Sequence, residues 1–397
     1  MGLVLAPESS CGSPCAEPRR EVLSRAGLGA GPTFPSKAGA ASPAAASAKL
    51  WHEQYLRSQA SQQLLTVVRN GDLLLVKAAL TGLAVPDCCD GAGVTPLHAA
   101  VDGGHDEILV LLLARRASPE APGGPLFDGP PAALASRRGH EDCLALLLNA
   151  RAMPHARAGP QLDAGTCLHF AAHDGHEGCI RLLLRAHVPT AKVAARGAVE
   201  HTVVAHTDLL ANLPDRRGRL PLHAAVGAEQ PECAAVLLAE GFSLVDYTDG
   251  EGDGPIHLAA MASAQATGAE MCRMLVERGA DVNLRTACQD TALHLAAMHG
   301  LVWVTQVLLQ LAANPNLVES NKGRAPLHFA SRHGIAEVCR LLVEALADPH
   351  IRDHSHGTAM TCARTHACKD IVAGGMRRAE CGSYAIANVD ADGGLIA

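Results

Sequence analysis

An all-α solenoid of stacked helix–turn–helix units is the fold class this sequence predicts, and three observations predict it. The phrase TPLHAAVDGGH at 95–105 returns as TCLHFAAHDGH at 166–176, TALHLAAMHG at 291–300 and APLHFASRHG at 325–334, with looser copies at 220–226 and 254–260. Used as a ruler, its first position falls at Gln62, Thr95, Pro130, Thr166, Leu220, Gly254, Thr291, Ala325 and Thr358. All gaps but one lie between 33 and 37 residues, the length of one helical hairpin with its connection. Hydrophobic residues make up 48% of the chain and aromatics only 3%. That balance suits closely packed helices rich in Ala and Leu better than a large core anchored on rings.

Residues 1–48 are rich in Ala, Ser, Gly and Pro and show no period. A disordered leader is expected there, because little apolar surface is available to offset the ordering entropy. A leading helix is expected over 49–61 and the repeat array over 62–373. In the Thr95 unit, Thr95 caps a first helix, with Pro96 in its first turn, where a missing N–H costs little. Leu97, Ala99 and Ala100 supply small apolar contacts, and Gly104 ends the helix. A second helix starts near His105-Asp106, and its LLL run at 111–113 recurs at 146–148 and 182–184. Each hairpin leaves an apolar face that only a neighbour can cover, so stability is close to a sum of unit and interface terms.

Departures from the ruler carry their own expectations. The Pro130 unit has Pro130 for Thr, Ala133 for His and a Pro-rich connection, APGGPLFDG, so a distorted joint is expected. The 54-residue gap between Thr166 and Leu220 places an insertion at about 188–213. SAQATGAE lengthens the Gly254 unit by about four residues, roughly one helical turn. Gln62 and Gln63 in the first unit, and TAMTCARTHAC without an LLL run in the last, read as solvent-tolerant caps. Residues 374–397 read as a loose tail.

Charge and composition exclude several classes. The net charge of −7 gives no global attraction to nucleic acid or to anionic membrane. No apolar run approaches the roughly 18 residues of a membrane span. The N-terminus lacks the apolar core of a signal peptide, and Ala6 stands where a myristoylation signal needs Ser or Thr. Fourteen cysteines without an export signal read as reduced thiols in the cytoplasm or nucleus. No cofactor or catalytic signature is present, so no enzyme and no cofactor are expected.

Motif and period together resemble the ankyrin-repeat family over roughly residues 59–373. The resemblance implies β-hairpin-like finger loops at sites such as 90–93 and 215–218. It implies that the position-four imidazoles, His98, His169, His223, His257, His294 and His328, bond backbone between units; an acid–base role would not recur every 33 residues. It also implies a non-catalytic protein-interaction module, an adaptor or scaffold binding through a concave groove. Cys143, Cys179 and Cys233 share the slot of Ile108, Val304, Val338 and Ile371 and read as small hydrophobes.

A groove would be lined by the eighth and ninth motif positions and by the finger tips. Among these, Asp102, Arg137, Arg138, His173 and Asp174 lie toward the N-terminal end, and Arg216, Arg217 and Glu251 on middle fingers. His299, His333 and His366 share one slot in three successive units and predict a column roughly 10 Å apart. With Arg332, Lys322 and Arg324 they predict a basic C-terminal half that takes an acidic segment of another protein, held more tightly as histidines protonate below about pH 6.5. Trp303 stands where other units carry Glu, a candidate apolar contact. Leu275, Asp281, Val282 and Asn283 resemble the L-x5-D-V-N target of the asparaginyl hydroxylase that modifies this family, making Asn283 a candidate modification site. A monomer is expected, bound to protein and not to nucleic acid or membrane. Two alternatives stay open: a substrate-recognition subunit of a ubiquitin ligase, and a metal site or enzyme built on His350, His354, His356, Cys362, His366 and Cys368. Zinc would want tight ligand pairs there, and the spacing matches no known ladder, so no metal is assigned.

Overall fold

Helix pairs repeat along the chain in the computed structural model, which describes residues 43–380 apart from 83, 128, 160–162, 187–209 and 241–242. A first pair, α1 (Pro43–Arg69) and α2 (Leu73–Thr81), precedes the Thr95 unit, α3 (Pro96–Asp102) and α4 (Asp106–Ala114). The Pro130 unit has a one-turn helix in its connection, α5 (Gly124–Phe127), then α6 (Pro131–Arg138) and α7 (Glu141–Asn149). Next come α8 (Cys167–Asp174) and α9 (Glu177–Arg185), α10 (Pro221–Gly227) and α11 (Pro231–Glu240), and α12 (Pro255–Ala260) and α13 (Gln265–Glu277). The last units are α14 (Ala292–His299) with α15 (Val302–Gln310), α16 (Pro326–His333) with α17 (Ala336–Glu344), and α18 (Ala359–Cys362) with α19 (His366–Glu380). Among the described residues there is no strand; two isolated bridges, Arg157 to Thr166 and Arg352 to Thr358, are the only β pairing. The fingers are therefore turn loops.

The motif explains the starts and stops. Thr95 Oγ1 accepts from the His98 N–H, and Pro96 opens the helix. In five later units the position-four imidazole caps the helix start: Nδ1 of His169, His223, His257, His294 and His328 accepts the N-cap N–H at 3.0–3.2 Å. Histidine thus does what Glu does in an ordinary capping box. Second helices carry acids in their first turn, Asp106 and Glu107, Glu141 and Asp142, or Glu177, which favour the positive end of the dipole. Gly139 ends α6 at φ +73, and a Cβ there would lie 2.5 Å from the His176 ring. Both the backbone and the stacked ring require glycine at that stop.

First helices stack on first helices and second on second, so one core runs the length of the array. Leu97, Leu144, Leu168, Leu222, Leu293 and Leu327 are buried in it, separated by small residues such as Ala100, Ala172 and Ala296 that let the helices approach. Cys143, Cys179 and Cys233 are fully buried in the slot of Ile108, Val304 and Val338. In α19 that slot passes to Val372, and Ile371 is only half-buried.

Several boundaries differ from the expectation. Helix α1 begins at Pro43, inside the stretch read as leader to residue 48, and runs unbroken past Gln62; Pro followed by three alanines is a strong helix start. Residues 1–42 lie outside the described residues. At the other end α19 continues to Glu380, through the start of the expected tail at 374, with Gly375 packed against Val343; residues 381–397 lie outside the description. Most of the insertion, 187–209, also lies outside, while Leu210 and Ala211 are helical and buried. Helix α13 has 13 residues where α15 and α17 have nine. At the Pro130 joint, the connection coils into α5, whose Phe127 stacks on His98 at 5.8 Å.

Candidate partner groove

Six of the fingers are each closed by one acceptor side chain. Asp90 Oδ1 accepts from Ala92 and Val94, Asp215 from Arg217 and Arg219, Asp249 from Glu251 and Asp253, and Asp353 from Ser355 and Gly357. Glu319 does the same for Asn321 and Lys322, with Thr286 serving the finger between. These carboxylates mimic a backbone turn.

The imidazoles fasten fingers to helices. With Nδ1 accepting an N–H, the ring proton sits on Nε2, and it is donated to a carbonyl of the next unit. His169 reaches Arg219 O at 2.9 Å, His257 reaches Leu284 O at 2.9 Å and His294 reaches Arg324 O at 3.1 Å. His98 makes the same bond to Gly129 O at 3.0 Å, so the distorted Pro130 joint is still latched from behind. His223 and His328 are the exceptions: among the described residues neither buried Nε2 has an acceptor in hydrogen-bond geometry, although the Tyr247 and Asp253 carbonyls lie near the first and the Gly357 and Ile351 carbonyls near the second. Burial disfavours the charged form in all six, and it pushes His169 and His294 down to about 4.

The candidate partner-binding side chains fall into three groups. Some neutralise one another: Arg138 pairs with Asp102 at 2.7 Å, His173 with Asp174 at 2.7 Å, and Arg217 with Asp163 at 3.0 Å. Arg137 lies over the Phe170 ring, 5.9 Å from its centroid. Others stand exposed without an ion-pair partner among the described residues: Arg216, Glu251, His299, Lys322, Arg332 and His333. Trp303, on the outer face at the start of α15, is 60% exposed, its backbone N–H bonded to Gln265. Asn283 is half-buried; its Oδ1 accepts from the Asn314 N–H at 2.8 Å, and its own N–H donates to Asp281.

Two expectations are corrected. His366 does not extend the column of His299 and His333, which end α14 and α16; it begins α19. Helix α18 is one turn long; the last unit has Thr361 at position four and no glycine stop follows. The chain turns extended at Ala363, Arg364 N–H bonds Ser331 O, and Thr365 caps α19. Arg324 is not a free charge either: its side chain is 14% exposed and faces Asp353 at 3.4 Å. Nor do the C-terminal His and Cys gather: among the described residues no group of three or more His, Cys, Asp or Glu could hold a metal. Cys368 is fully buried, and the His354 ring packs over Gly323.

A cavity of about 690 Å³ opens between the ends of α6, α8, α10 and α12 and the fingers opposite. Sequence reasoning missed it, because its walls come from four units. Its lining includes Phe170, Leu258 and Met261, three arginines and six carboxylates. Arg219 binds Asp215 at 2.9 Å and Asp163 at 3.3 Å, so those charges are matched. Asp249, Glu251 and Asp253 have no ion-pair partner among the described residues. Burial, and then Asp249 and Glu251, raise the Asp253 carboxyl above its usual range.

A family model described as "Ankyrin repeats" matches residues 64–158, 190–286 and 261–353, and a single "Ankyrin repeat" matches 165–197. "Neurogenic locus notch homolog protein 1" of Xenopus tropicalis is 35% identical over 117 residues, covering 30% of this chain and 4% of that protein. "Neurogenic locus notch homolog protein 2" of Homo sapiens is 34% identical over 112 residues, again 4% of its length. The chain thus matches only a small part of these relatives. The crystal structure of the human ASB11 ankyrin repeat domain superposes with a TM-score of 0.51 at 25% identity, covering 64% of this chain and 98% of that one.

Proposed function

We propose that this chain, which belongs to the ankyrin-repeat family, is a cytoplasmic or nuclear adaptor or scaffold that holds a protein partner along the face formed by its fingers and first-helix ends. Ankyrin repeats are a protein–protein interaction module, typically binding other proteins and generally without catalysis. The observation that carries the finer reading is a contrast at the end of each first helix. In α16 the motif residues Leu327, His328 and Ala330 are buried, while the adjacent Arg332 and His333 stand free in solvent. The same two slots hold Arg137 and Arg138 in α6 and Met298 and His299 in α14, so the frame repeats while the displayed chemistry changes. Lys322 on the neighbouring finger adds a third exposed basic group, and an acidic segment of the partner fits this end.

The test is fluorescence anisotropy with a nona-glutamate peptide. Arg332→Glu with His333→Glu should weaken binding at least tenfold, and binding should strengthen as the pH falls. Equal affinity of the variant and the parent would refute the basic end. Asn283 is also proposed as a β-hydroxylation site; its side chain already ties its turn to Asn314. Native protein whose Asn283 peptide is never one oxygen heavier by mass spectrometry would refute this.

A further inference from the structure

The finger bases differ in sign along the array. The residue closing each finger, four or five after its capping side chain, is Arg219 in the Leu220 unit and Arg324 in the Ala325 unit, and both neutralise buried carboxylates. Between them the same place is taken by Asp253 and Asp290. Asp253 therefore adds a charge to Asp249 and Glu251 where Arg219, on the preceding finger, removes one. Carboxylates this close repel one another, and partial burial strengthens the repulsion.

A second observation concerns the helix behind that finger. His223 is 1% exposed, lines the same cavity and has no acceptor for its Nε2 in hydrogen-bond geometry among the described residues. Since Nδ1 accepts from the Leu220 N–H at 3.2 Å, the orphan is an N–H donor pointing toward the finger that the family latch would reach. A buried donor left without an acceptor is unfavourable; His328 shares this feature, but only His223 lines the cavity.

We propose that the cavity takes an arginine- or lysine-bearing segment of a protein partner, the cation held by Glu251 and Asp253 and its aliphatic stem lying on Met261 and Leu258. This deepens the groove reading given above and rests on it. A guanidinium suits the lining because it meets carboxylates with paired donors and carries a stem that packs on apolar surface. The cavity volume admits several residues, so the cation arrives as part of a chain.

The test uses the full chain and a fluorescent nona-arginine peptide. Glu251→Gln with Asp253→Asn should weaken binding at least tenfold, while Glu107→Gln with Glu232→Gln, an equal charge change on the outer face, should leave it unchanged. Occupancy should also slow backbone hydrogen exchange over 249–253. The single change Glu251→Lys, at an exposed tip, gives the same loss without touching the finger base. Equal losses in the inner and outer variants, or none in either, would overturn the proposal. Nona-glutamate binding measured alongside separates the two readings. If it persists and still needs Arg332 while nona-arginine does not discriminate, the cavity's ligand is refuted and the groove stands; if neither peptide binds, the groove reading falls.

Discussion

Compare the joint between the Thr291 and Ala325 units with the joint between the Leu220 and Gly254 units. Both begin with the same sequence, an L-H pair following the N-cap, and in both Nδ1 of the histidine caps its own helix. Beyond that they diverge. His294 donates its one ring proton, on Nε2, to Arg324 O, and the Arg324 side chain faces Asp353 in the next unit. The His223 ring proton has no acceptor in hydrogen-bond geometry among the described residues, and the finger it faces ends in Asp253. The difference teaches that the motif histidine is a latch only if the next finger comes to meet it. The charge of the closing residue does not decide it, since His257 latches beside a finger that ends in Asp290 while His328 is left open beside one that ends in Gly357.

The comparison can be broken in order of effect. Acid should act most strongly on the closed joints. His169 and His294 are held neutral by burial at about 4, whereas in the unfolded chain they titrate near 6.5. The unfolded state therefore binds more protons, and stability that is full above pH 6.5 is lost as the pH falls toward 4. At pH 5 each of the two should have cost about 2 kcal/mol; urea titrations at pH 7 and 5 measure this, and replacing both histidines with Ala should flatten the slope. His294→Ala comes next. It strands the buried Thr291 N–H and removes the latch to Arg324 O, which keeps its bond from the Glu319 N–H, and should destabilise by about 2 kcal/mol, read as faster hydrogen exchange over 291–330. His223→Ala breaks one bond fewer and should cost about half that. Equal costs for the two would mean that the distinction between the joints is not real in solution. Last, Trp303→Ser removes a ring that is 60% exposed and should shift stability by less than about 0.5 kcal/mol.

Much of this was legible in the sequence. The Thr95 cap, the stacked helices, the buried cysteines and the family latch follow from local chemistry repeated at one period. The missed features depend on contacts between units or on ends. Asp253 was not singled out because its unmatched charge appears only when the fingers are set side by side. His366 was misplaced because the ruler assumes eight-residue first helices. The last unit has neither the position-four histidine nor the glycine stop, and Thr365 caps the next helix instead. Pro43 was assigned to the leader on composition, although the alanines that weaken an apolar pattern are strong helix formers.

The central claim is that a constant buried frame displays a variable inner wall to a protein partner. A photo-crosslinking residue placed in turn at 137, 299 and 333 on the inner wall, and at 107, 232 and 337 on the outer face, tests it in cell extract. Adducts to the same protein should form from the inner positions and not from the outer ones. Adducts formed as readily from the outer positions, or from those alone, would contradict the account.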